Sequence, residues 1–88
     1  MNKQYMLYRL RERVKILSAR YYAACKCQRV DGKKIKDGTA SVIRAHCKRD
    51  LQILALIEQL LLTSKAVFVE DADAIEGFEK LIEPNERS

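Results

Sequence analysis

Among these 88 residues, the side chains best suited to metal or covalent chemistry flank one loop. They are Cys25, Cys27, His46 and Cys47, a Cys-x-Cys pair and a His-Cys pair. Four soft ligands would suit a tetrahedral zinc ion. The spacing works against it. Residues two apart on a helix diverge by about 200°, and adjacent residues by about 100°. Cys25 and Cys27 therefore converge only where a helix has already ended. The plainer reading is of small apolar cysteines in or beside a helical core, so these four are weak candidates and no metal or other cofactor is expected. His46 is the one histidine, and helical spacing puts it on an apolar arc. No serine or carboxylate is spaced to work with it, and nothing builds the cleft that a reactive thiolate needs. No catalytic residue is expected, and the chain does not read as an enzyme.

A second set has the chemistry of phosphate binding. Tyr8, Arg11, Lys15, Tyr22, Lys26 and Arg29 recur at steps of three, four and seven and so share one helix sector. Lys33, Lys34 and Lys36 extend the positive charge into the loop that follows, while Arg9, Arg13 and Arg20 line the other flank. Cations hold phosphates and exposed tyrosines stack on bases. The bland alternative is a solvated face, but such faces mix both signs, and Glu12 is the only acid before Asp31. Asp50 and Glu58 fall inside an apolar arc. Buried acids need partners, and Arg13, Arg20 or an arginine of another subunit would serve.

Charge is distributed unevenly. Residues 1–50 hold fourteen Lys/Arg against four acids, and residues 51–88 hold three against eight. A basic body with an acidic tail fits a polyanion binder, and equally a chain whose tail folds back on itself. There is no Gly-rich phosphate loop and no EF-hand spacing. The longest apolar run, within 51–62, is too short to span a bilayer and carries Glu58. The N-terminus lacks a secretory signal pattern, so a complete cytoplasmic chain with no membrane contact is expected.

The elements that must position these residues are helices. Leu7, Leu10, Val14, Leu17, Tyr21 and Ala24 step by three and four, predicting a helix over about 3–28 with Asn2 as its N-cap. Asp31-Gly32 and Asp37-Gly38 mark a basic loop over 29–40, or bracket a tiny hairpin. A second helix over about 41–64 follows, capped by Thr39 or Ser41. Ile43, Cys47, Leu54, Ile57 and Leu61 form its seam. Val42, Ile53, Leu56 and Leu60 on one side, and Leu51 and Leu62 on the other, widen the apolar arc to roughly 240°, more than one partner helix covers. Val67, Phe68 and Val69 read as an extended link or as the end of that helix. Asp71 or Asp73 then caps a short acidic helix over about 71–83, weakened by Gly77 and stopped by Pro84.

The expected fold is thus all-α, a single domain over 1–88. A long antiparallel two-helix hairpin and a short C-terminal helix would dimerise into a helical bundle through Ile53, Leu56 and Leu60. Two functions compete. One is a small basic protein that contacts DNA or RNA through the Tyr/Arg/Lys face. The other is a protein–protein interaction module, a small inhibitor, adaptor or subunit of the phage or mobile-element type, docking on a larger assembly.

Overall fold

The computed structural model describes residues 1–26 and 37–83. Its elements are α1 (Lys3–Cys25), α2 (Asp37–Thr63) and α3 (Ala72–Ile82). Among the described residues the only β pairing is one isolated antiparallel bridge between Asn2 and Phe68.

Asn2 starts α1 as expected. Its extended backbone points the side-chain oxygen at the helix, where it accepts from the N–H groups of Gln4 at 2.8 Å and Tyr5 at 3.3 Å. That satisfies two of the donors every helix start leaves unpaired. The same residue joins the bridge to Phe68, so Val67–Val69 form an extended link and not the end of α2. Around it the Lys3 N–H donates to the Val67 carbonyl at 2.9 Å, and the Val69 N–H to the Met1 carbonyl at 2.8 Å. The Met1 ammonium donates to the Val69 carbonyl at 2.6 Å.

The hairpin seam is a ladder of sevens. Leu10, Leu17 and Ala24 on α1 face Ala40, Cys47, Leu54 and Leu61 on α2, and all seven are buried. Leu7 is buried with them, and Val14, Tyr21, Ile43 and Ile57 pack half-buried at the edge. A spacing of seven keeps the apolar stripe on one side of each helix. The antiparallel sense is fixed at both ends. The Arg44 guanidinium at the start of α2 donates to the Ala24 carbonyl at the end of α1, at 3.2 Å. The Lys3 ammonium at the start of α1 donates to the Ser64 carbonyl just past α2, at 2.6 Å. Neither α1 nor α2 has a base in its own last turn. Each thus borrows from the other the cation that favours a helix C-terminus.

Asp71 caps α3 by accepting from the Ala74 N–H at 3.0 Å, and Asp73 sits in its first turn. Phe78 and Ile82 are buried with Met6 in the shared core, with Leu81 half-buried beside them. Arg9 ties the end of α3 to α1 through an ion pair with Glu83.

Two helix boundaries differ from the sequence reading. The first helix stops at Cys25, three residues short of 28. The Lys26 N–H still closes on the Tyr22 carbonyl, but its backbone has left helical geometry. The second helix begins at Asp37 and not at 41, so Gly38, Thr39, Ala40 and Ser41 are helical. Thr39 and Ser41 are therefore not caps. Burial of Ala40 against the seam extends the helix across the residues that read as a turn. That burial outweighs the entropic cost of a glycine in the helix, about 1 kcal/mol.

Candidate nucleic-acid interface

The seam of α1 points Leu10 and Leu17 at α2, which turns Tyr8, Arg11, Lys15, Tyr22 and Lys26 outward. All five are exposed, the two tyrosines at 61% and 60%. Arg29, Lys33, Lys34 and Lys36 lie outside the described residues. From Tyr8 to Tyr22 is fourteen residues, about 21 Å along a helix at 1.5 Å per residue. That is about six steps of duplex rise at 3.4 Å. The Lys26 ammonium lies over the Tyr22 ring, 5.3 Å from its centroid, so ring and cation are presented together.

Two of the cations have partners. Arg11 pairs with Glu58 of α2 at 3.2 Å, and Lys15 with Glu12 at 3.4 Å. Position on the apolar arc suggests Arg13, Arg20 or another subunit as the partner of Glu58. Glu58 lies instead on the flank of α2 that faces Arg11, while Arg13 and Arg20 lie on the opposite flank of α1. Asp50, half-buried, pairs with its neighbour Arg49 at 3.4 Å. These exposed pairs hold their partners weakly and leave the face predominantly cationic.

On that opposite flank Arg9 is held by Glu83, which raises the guanidinium pKa, and sits 5.9 Å from the Tyr5 ring. Arg13 and Arg20 face a cleft past the end of α3. Sequence spacing places these two on one sector, but it gives no sign that His46 and Arg49 of α2 and Lys80 of α3 meet them there.

The cysteine and histidine candidates separate. Cys25 is exposed, Cys47 is buried in the core, and His46 stands exposed, outside the core that its position on the arc suggests. Burial pushes the Cys47 thiol above its ordinary pKa. Cys27 lies outside the described residues. Among the described residues no three His, Cys, Asp or Glu side chains come close enough to hold a metal ion.

The apolar arc of α2 is only partly covered. Beside α3, the half-buried Ile57 and the buried Leu61 line an apolar groove with Phe78, Gly77 and Leu81. Ile53, Leu56 and Leu60 remain 37%, 64% and 70% exposed, and Leu62 and Val42 are exposed as well. No described helix is long and apolar enough to cross a membrane. Comparison with protein-family models, curated proteins and solved structures finds no match to this chain.

Proposed function

We propose that this protein binds nucleic acid along the outer face of α1. The observation that carries the reading is the pair of exposed tyrosines interleaved with the exposed Arg11, Lys15 and Lys26 on one face of α1. Phosphates supply the affinity, and the rings take unstacked bases. A single helix edge of this kind reads backbone shape and single-stranded segments more readily than a base sequence in the major groove. Nothing in the mechanism calls for catalysis or a cofactor.

Lys15 and Lys26 are the better probes, because Arg11 is shared with Glu58 of α2, whereas the Lys15 pair with Glu12 stays within α1. Fluorescence anisotropy of a labelled single strand, measured over a salt series, tests the reading. Lys15→Gln with Lys26→Gln should weaken binding for every sequence and lower the salt slope by roughly 1.4, about 0.7 for each single-strand phosphate no longer neutralised. Tyr22→Ala should weaken single strands more than regular duplex. A folded double variant that binds with the parent's affinity and slope removes this reading.

The exposed stripe Ile53, Leu56 and Leu60 favours a second reading, a protein–protein interaction module that docks on a larger assembly. The same stripe suits pairing of two copies about a two-fold axis, with α2 central. The two readings are separable, because the stripe and the tyrosine face lie on different helices. A cytoplasmic location is proposed for both, for which the free thiols of Cys25 and Cys47 count.

A further inference from the structure

On the flank of α1 away from Tyr8 and Tyr22, α3 fills only part of the groove between α1 and α2. Past its C-terminal end the groove opens into a cleft of about 380 Å³. The floor is apolar, made by Leu17, Ile43, Cys47 and Leu81. The walls are cationic, and each helix contributes: Arg13 and Arg20 from α1, Arg49 from α2, Lys80 from α3. His46 joins them, and Asp50 is the one carboxylate among the described residues of the lining.

We infer that this cleft is a binding site for a phosphate group. Arg13 Nε is buried and meets no hydrogen-bond acceptor among the described residues. A buried guanidinium donor left without an acceptor is costly, and such groups in native proteins call for an explanation. A phosphate oxygen is the acceptor that fits, because a guanidinium fork grips it through paired N–H donors. Charge argues for phosphate over a lone carboxylate: guanidinium and ammonium groups reach the cleft from all three helices, and a phosphate offers an oxygen to each of several donors where a carboxylate has only two. Among the described residues Arg49 and Lys80 are held by exposed pairs with Asp50 and Glu76, at 3.4 and 3.2 Å, which an incoming anion can displace. The apolar floor excludes water from one side of the site, which strengthens each charge interaction. The site does not depend on the outer face of α1 and stands or falls separately from it.

Inorganic pyrophosphate, titrated into the full chain at low salt and followed by calorimetry and amide NMR, is the test. The expected result is saturable one-to-one binding with shifts at Arg13, Ile43 and Lys80. Arg13→Gln should weaken it at least tenfold, Lys80→Gln several-fold, and Lys15→Gln on the outer face should leave it unchanged. Lys80 is exposed, so its variant carries the test should Arg13→Gln fail to fold. A 5′-phosphorylated oligonucleotide beside its unphosphorylated twin distinguishes the sources. A preference for the phosphorylated strand that Lys80→Gln and Arg13→Gln abolish assigns the site to nucleic-acid ends. Equal binding of the two strands, with pyrophosphate binding still weakened in the variants, assigns it to a free phosphate ligand. The proposal is overturned if the parent shows no saturable pyrophosphate binding, if folded Arg13→Gln and Lys80→Gln variants bind as the parent does, or if Lys15→Gln weakens binding as much as they do.

Discussion

Leu54 and Leu56 stand two residues apart on α2, one with no exposure and the other 64% exposed. Truncating each to alanine therefore separates the hairpin core from its uncovered flank. Leu54 packs in the same cluster as Leu10 and Leu17, so its loss leaves a cavity that neighbouring helices close only in part. Leu→Ala at such a site costs about 2–5 kcal/mol. An 88-residue domain has a total stability of roughly 4–13 kcal/mol at 0.05–0.15 kcal/mol per residue. Leu54→Ala should thus remove a large share of it and lower Tm by about 10 °C or more. Leu56 has only about a third of its surface to lose, so Leu56→Ala in a monomer should cost less than about 1 kcal/mol, a third of the 1.5–3 kcal/mol for full burial. Urea melts followed by circular dichroism at two protein concentrations measure both. A Leu54→Ala midpoint matching the parent's would refute the seam. A Leu56→Ala cost that rises toward that of Leu54→Ala at high concentration would mean a second copy covers the stripe.

Four further outcomes are expected. Sedimentation should give about twice the 10.2 kDa chain mass for the parent, and the monomer mass for Leu60→Asp, which buries a charge in the proposed two-fold contact; a parent that stays monomeric at all concentrations removes the dimer. Asn2→Ala should cost about 1 kcal/mol through loss of the α1 cap, read as a lower urea midpoint. Gly77→Ala should raise stability by about 0.5–1 kcal/mol, since a methyl there meets no atom within 4 Å and the site is mid-helix. Because burial raises the Cys47 pKa in the folded state, the unfolded chain loses that proton first as pH rises. The stability tied to this thiol is full below the ordinary thiol pKa and is lost as pH climbs through the folded value. Peptide mapping after brief alkylation near pH 8 should accordingly find Cys25 modified well before Cys47.

Much of the fold is written in local pattern. The three-and-four steps of Leu7 to Ala24 are enough to define one helix and its buried side, and Asn2 and Asp71 cap their helices by the side-chain chemistry their types suggest. What misleads is punctuation. Asp37-Gly38 has the composition of a turn, but the pull of Ala40 into the seam outweighs a preference worth about 1 kcal/mol. The arc of α2 shows that the hairpin alone cannot be complete. It does not show how the covering is divided, because that depends on where the link through Val67 and Phe68 delivers α3. The bridge to Asn2 decides it, pinning the link to the start of α1, so that α3 covers Met6 and Leu61 and leaves Leu56 and Leu60 outside.

The candidate sites differ in legibility for the same reason. The tyrosine face lies on one helix, so spacing alone assembles it. The cleft draws on three helices. Arg13 and Arg20 are seven apart and visibly share a sector, but Arg49 and Lys80 reach them only through the hairpin and the placement of α3. The Arg11–Glu58 pair fits the same account. Both residues stand out in the sequence, one as a phosphate ligand and the other as an acid in need of a base. Only the facing of the two helices shows that each meets the other. Because that pair sits at the edge of the tyrosine face, Glu58→Gln frees Arg11 without touching α1. If phosphates bind there, the change should tighten nucleic-acid binding and steepen its salt slope. If the face is only solvated, the same change should move neither.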